Sequence, residues 1–162
     1  MLIRTKLYLS YGILIAAIIL MSIYGIVQIF NVDDMSSKIV ANNIPRISTM
    51  TRVDVDISDY RGYAYAHVIA QDRKTQQEYE QKMAETKKTI DANLTKYKEM
   101  STQKDKVTKL EGEWSDFAAK VDQLIVASRS NDTVKAMEYS TESQRSFDAL
   151  VQTILDLEKA NE

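Results

Sequence analysis

From Leu7 to Phe30 no side chain carries a charge, and the run reads LYLSYGILIAAIILMSIYGIVQIF. As a helix, these 24 residues would rise about 36 Å, a little more than the ~30 Å of a bilayer's hydrocarbon core. Tyr8, Tyr11 and Tyr24 lie near its ends, where amphipathic rings favour the membrane–water interface. A cleaved leader would show a shorter apolar region followed by a small-x-small site, and no such site follows Phe30. The run is therefore expected to be a transmembrane helix over 7–30. Arg4 and Lys6 precede it and Asp33 and Asp34 follow it. By the positive-inside rule, residues 1–6 are expected in the cytoplasm and 31–162 on the far side of the membrane.

The remaining sequence has little to punctuate it. The chain holds one proline and four scattered glycines, which argues for a few long helices rather than a sandwich or barrel. It has no cysteine and one histidine, His67. Disulfide scaffolds, thiolate metal sites, cysteine nucleophiles and His-rich zinc motifs are thereby excluded. The glycine spacing supplies neither a phosphate-binding loop nor a dinucleotide motif. Glu138, Glu142 and Asp148 could be drawn as carboxylate ligands, but no Glu-x-x-His accompanies them, so a di-iron site is not expected. Neither enzymatic activity nor a cofactor is expected. With 21 basic and 23 acidic residues, the balance is mildly acidic, which speaks against nucleic-acid binding.

Breaks at AQDRKT, MSTQKD and SRSND divide the remainder into helices over about 46–71, 73–99, 104–129 and 133 to the chain end. Asp72 is a candidate cap for the second, Thr102 with Asp105 for the third, and Asn131 or Asp132 for the fourth. Pro45 either kinks one long helix or opens a new one at its first turn. The third helix carries the clearest seam, with Val107, Leu110, Trp114, Phe117, Val121 and Leu124 at 3-4 spacing. Tyr79, Met83, Thr86, Ile90, Leu94 (or Asn93) and Tyr97 make a looser stripe on the second. The fourth offers Val134, Met137, Thr141, Gln144, Phe147, Val151 and Ile154, with a polar middle. The first offers Ile47, Met50, Asp54, Ile57, Arg61, Ala64 and Val68. Four helices with short joints predict an all-α, antiparallel up-down-up-down bundle behind the transmembrane helix.

A basic N-terminus, a membrane helix, NNIPRI, DYRGYAYAHVIAQD, EYEQKMAE, a Trp-x-x-Phe seam, SNDTVKAMEY and SQRSFDALVQTILDLEKAN follow one another. In that order they resemble the four-helix-bundle sensor domain of bacterial methyl-accepting chemotaxis proteins, over essentially the whole chain. The resemblance implies a periplasmic homodimer anchored in the inner membrane. It also implies binding of a small amino acid or organic acid near the dimer interface, and a helix shift that reaches a histidine kinase through a cytoplasmic region. This sequence contains no second membrane helix, HAMP linker or kinase-contact tip, so it is expected to be part of a longer transducer.

Six residues are candidate ligand contacts: Arg52, Tyr60, Arg61, His67, Thr141 and Arg145. Arg61 falls on the seam of the first bundle helix, where an unpaired guanidinium would cost several kcal/mol. Its partner is then either an acid such as Asp54 or Asp59, or a ligand carboxylate held bidentately. Arg52, nine residues earlier, is expected to border the same groove, and both match arginines on the first helix of the family's pattern. Tyr60, Tyr63 and Tyr65 with His67 read as one polar-aromatic patch, which suits a pocket but fits a packed helix with a wet edge better. Thr141, Gln144 and Arg145 interrupt the apolar stripe of the fourth helix, Arg145 within the family-like SQR. Arg129, near a loop, is expected to be solvated. Gly62 fits a close helix approach at a dimer seam, or mere drift. Two rival readings stand beside the chemoreceptor: the same sensor on a histidine kinase or diguanylate cyclase, and a tethered structural bundle with no small ligand.

Overall fold

The computed structural model describes residues 3–159, with the side chains of 3–7, 10, 38, 39 and 42 excepted. The side chains of Arg4 and Lys6 in the basic tail, and the last three positions expected to end the fourth helix, are therefore outside what is described. The described chain is helical, in the order α1 (Ile3–Lys38), a π-helical turn (Ile39–Asn43), α2 (Ile44–Ile69), α3 (Arg73–Met100), α4 (Lys104–Arg129) and α5 (Thr133–Lys159). It divides into two compact units, Met1–Ala41 and Asn42–Glu162.

The first unit is essentially α1. Apolar side chains cover every side of it, and residues such as Ile13, Leu20, Met21 and Phe30 are all more than half exposed. A helix that is apolar all round needs an apolar surrounding. Within it, Tyr11–Ser37 is long and apolar enough to cross a membrane. Ser22, a polar residue inside the run, donates its hydroxyl to the Ile18 carbonyl at 2.9 Å, which satisfies it within the helix.

The second unit is the bundle. Pro45 opens α2 at its first turn, where a missing N–H costs nothing. Asp72 caps α3 by accepting from the Thr75 amide at 2.9 Å. Asp132 caps α5 by accepting from the Lys135 amide at 3.1 Å. Asn131 instead takes the left-handed turn before it, with φ 55°. The proposed Thr102–Asp105 cap does not form: α4 starts behind Gln103 without a side-chain cap, and the Ser101 hydroxyl accepts the Gln103 amide at 3.0 Å. Three-residue joints then force neighbouring helices antiparallel.

The packing is uneven. α2 lies tightly along α3 and α4 along α5, making two hairpins. The seams between hairpins, α3/α4 and α2/α5, are looser, while α2 and α4 meet across the middle. All six predicted α4 seam residues are buried, as are Met83, Ile90, Leu94 and Tyr97 of α3. On α2 the buried line is Met50, Val53, Ile57, Tyr60, Ala64 and His67, so Asp54 and Arg61 flank the core instead of entering it. The α5 stripe also differs from expectation. Val134 and Met137 are 81% and 70% exposed, and the core side is Ala136, Ser143, Ser146, Leu150, Thr153, Ile154 and Leu157. Small serines let α5 approach closely and stay hydrogen-bonded. Ser143 donates to the Ser140 carbonyl at 2.9 Å. Ser146 donates to Asp116 Oδ2 at 2.7 Å and accepts from Lys120 Nζ at 2.9 Å.

Gly62 sits on the exposed side of α2, and a Cβ built there would meet nothing within 4 Å. No close approach within the protomer explains it. Gly62→Ala is therefore expected to stabilise the bundle by about 0.5–1 kcal/mol. A urea midpoint that falls on substitution would show that this face is covered.

Candidate functional site

Tyr60 and Arg61, adjacent on α2, face the two loose seams. Arg61 turns toward α5. Its guanidinium lies over the Phe147 ring at 4.3 Å and the Tyr65 ring at 5.1 Å from the centroids. Nη2 donates to Gln144 Oε1, and Nε donates to the Tyr65 hydroxyl at 3.5 Å. The Tyr65 hydroxyl also reaches Gln144 Oε1 at 3.3 Å, and Gln144 Nε2 donates to Asp148 Oδ1 at 2.7 Å. Among the described residues no carboxylate pairs with Arg61, neither Asp54 nor Asp59 nor any acid of another helix. A half-buried cation is thus held by two neutral oxygens and two ring faces. Guanidinium carries five N–H donors in a planar fork that matches a carboxylate. Nη1 engages no acceptor among the described residues.

Arg52 does not join it. At 3.6 residues per turn, nine residues place the two arginines about half a turn apart. Arg52 is exposed and pairs with Asp56 Oδ1 one turn on, at 3.3 Å. Asp56 is itself buried, and its Oδ2 has no hydrogen-bond partner among the described residues. Thr141 is exposed and returns its hydroxyl to the Met137 carbonyl at 3.0 Å, as a helix-surface threonine does. Arg145 is exposed on the other side of α5, beside Lys109, Glu113 and Asp116 of α4.

The tyrosines do not form one patch. Tyr60 is 1% exposed, edge-on to Trp114 at 5.1 Å and near Phe117 at 6.1 Å. Tyr63 stacks on Tyr79 of α3 at 6.3 Å, and Tyr65 serves Arg61. At 3.6 residues per turn, Tyr63 and Tyr65 lie about 300° and 140° round the helix from Tyr60, so the three meet different neighbours, which a reading by sequence proximity misses.

His67 is fully buried, not at the edge of the core. Its Nε2 lies 3.0 Å from Glu80 Oε1 and its Nδ1 3.2 Å from Ser128 Oγ. A carboxylate only accepts, so Nε2 carries a proton toward Glu80. Glu80 also accepts from Arg73 Nη1 at 3.2 Å and from Arg129 Nε at 2.8 Å, and Arg129 Nη2 reaches its Oε2 at 2.5 Å. Hydrogen bonding from Arg129 holds the Glu80 carboxyl below its ordinary range, and Glu80 in turn raises Arg129. Arg129 is exposed, as expected near a loop, and is also a structural partner of Glu80. This cluster ties the end of α2 to the start of α3 and the end of α4. Up-down topology brings those three ends together, and that was the available signal for Glu80 and Arg129.

Searches of curated proteins and of solved structures found no match. A family model described as a four helix bundle sensory module for signal transduction matches residues 1–162. With a four-helix bundle in the structure and the match running over the full sequence, the chain belongs to this family of four-helix-bundle sensory modules for signal transduction.

Proposed function

We propose that this chain is the ligand-reading input of a chemoreceptor-type transducer, with Arg61 as its anion contact. In this reading α1 anchors in a bacterial inner membrane with the N-terminus in the cytoplasm, and the bundle works in the periplasm as a homodimer. It binds and does not catalyse. The observation that carries the proposal is the half-buried Arg61 guanidinium, held on the α2/α5 seam by neutral groups alone. A carboxylate of an amino acid or organic acid would bind it more strongly than an amide oxygen does. Such a ligand takes the place of Gln144 Oε1, so α5 exchanges a tie to α2 for a tie to the ligand. Because that seam is loosely packed, α5 can shift along α2, and a shift of the last helix is what a cytoplasmic kinase-controlling region would receive.

The test is calorimetric titration of the full chain in nanodiscs with a panel of amino acids and di- and tricarboxylates. One or more is expected to bind saturably, with Arg61→Gln weakening it about tenfold or more, the loss of one charge-assisted contact. Asp148→Asn separates the classes: it weakens an amino acid, whose ammonium needs an acceptor, and leaves or improves an organic acid. No saturable binding across the panel, or binding unchanged in Arg61→Gln, overturns the proposal.

A further inference from the structure

The opposite loose seam carries a different chemistry. Between α3 and α4 a cleft of about 170 Å³ is lined by Tyr60, Met83, Lys87, Asp122 and Ile125, with Glu80 and Arg129 at its end. A second opening of about 310 Å³ adjoins Lys87 from the other side and includes Asp91 and Trp114. Glu80 and Arg129 neutralise each other directly. What remains is acidic. Asp91 accepts from Trp114 Nε1 at 2.7 Å and has no cationic partner among the described residues. Among the described residues Asp122 forms an ion pair only with Lys87, at 3.7 Å with both side chains well exposed, while Arg129 lies within its electrostatic reach. At the floor, the Tyr60 hydroxyl makes no hydrogen bond among the described residues although the residue is 1% exposed. Burial, Asp122 and Asp91 all keep that hydroxyl protonated.

We propose that this cleft binds a small organic ammonium ion, independently of Arg61. Asp122 with the Tyr60 ring and hydroxyl in the cleft, and Asp91 with the Trp114 ring in the adjoining opening, supply what an ammonium group requires. The same carboxylates repel an anion. Met83 and Ile125 offer an apolar wall for a short alkyl group. An apolar cavity of about 150 Å³ holds one benzene, so this cleft suits a molecule of a few carbons and excludes peptides and nucleotides. Lys87 is the resident competitor. Its exposed pairing with Asp122 is worth little, so its ammonium can swing into solvent when the ligand arrives.

Trp114 is the only tryptophan in the chain, which makes its fluorescence the reporter. The full chain in nanodiscs is titrated with n-propylammonium chloride, and separately with sodium chloride and sodium propionate at matched ionic strength. Saturable change with propylammonium alone is expected. Asp122→Asn is expected to weaken it about tenfold, and Tyr60→Phe several-fold, each removing an acceptor from the ion. Lys87→Ala is expected to tighten it by up to about tenfold, since a competing cation is removed. No saturable change, an equal change with sodium chloride, or weaker binding in Lys87→Ala overturns the proposal. So does tighter binding of alanine than of propylammonium, which would make Lys87 a carboxylate partner and the occupant a zwitterion. Should Tyr60→Phe not fold, Asp122→Asn and Lys87→Ala, both on exposed side chains, decide the matter.

Discussion

Phe117→Ala is expected to destabilise the bundle by about 3–5 kcal/mol, the range for deleting a buried phenyl ring. Phe117 is 1% exposed, and its ring centroid lies 6.1 Å from Tyr60, 6.0 Å from Trp114 and 5.7 Å from Phe147. The substitution removes the ring at which α2, α4 and α5 meet, and three large aromatic neighbours cannot collapse to fill the void. Domains of this size are stable by roughly 5–15 kcal/mol, so the loss is a large share of the total. A local consequence follows. Phe147 carries the Arg61 guanidinium on its face, so a loosened Phe147 should also loosen the α2/α5 seam. Urea unfolding followed by Trp114 emission measures the first effect. A loss below about 1 kcal/mol would mean that the aromatic cluster is not the centre of the core. Phe117→Leu retains much of the volume and is expected to cost substantially less.

How much of this was legible in the sequence depended on the strength of each helix's pattern. On α4, Val107, Leu110, Trp114, Phe117, Val121 and Leu124 are large and regularly spaced, and every one is buried. On α5 the same reasoning gave Val134, Met137, Thr141, Gln144, Phe147, Val151 and Ile154; Ile154 is buried and Phe147 packs against the core, but Val134, Met137 and Thr141 are exposed and Ser143 and Ser146 are buried instead. A helix packed closely against its partner favours small residues whose hydroxyls find acceptors nearby, and a search for bulk cannot see them. The caps at Asp72 and Asp132 were readable because a side chain that accepts from an amide three residues on is local chemistry. Arg61 was recognisable as a charge in a wrong place, but not its partners. Gln144 and Phe147 lie on another helix, and only the register between α2 and α5 brings them to it. Arg52 does not share a groove with Arg61 for a simpler reason, since half a turn of helix separates the two.

Glu80→Gln is expected to cost about 2 kcal/mol at neutral pH, because the amide cannot replace what the carboxylate does. Glu80 accepts from His67, Arg73 and Arg129 at once. Glutamine keeps one acceptor oxygen, and its NH2 would oppose either the Arg129 fork or the His67 N–H. His67 has no exposure, so it cannot turn to water for a substitute. The acid limb gives an independent check. Arg129 holds the Glu80 carboxyl below its ordinary value of 4.5, so the unfolded chain takes up that proton first. The stabilisation is complete above that value and is lost as pH falls through it toward the lower folded value. Wild-type and Glu80→Gln midpoints in urea, measured from neutral pH down to about pH 3, should therefore differ most near neutrality and converge in acid. A constant gap across that range would mean that the carboxylate's charge contributes nothing and that only its shape matters. The three ends gathered by Glu80 belong to α2, α3 and α4, and α5 is absent from the cluster. One end of the bundle is thereby fixed by three helices, whereas α5 is tied in by its packing along α4 and by Leu150, Ile154 and Leu157 in the shared core, so the proposed shift of α5 against α2 has to be carried through the α4/α5 hairpin.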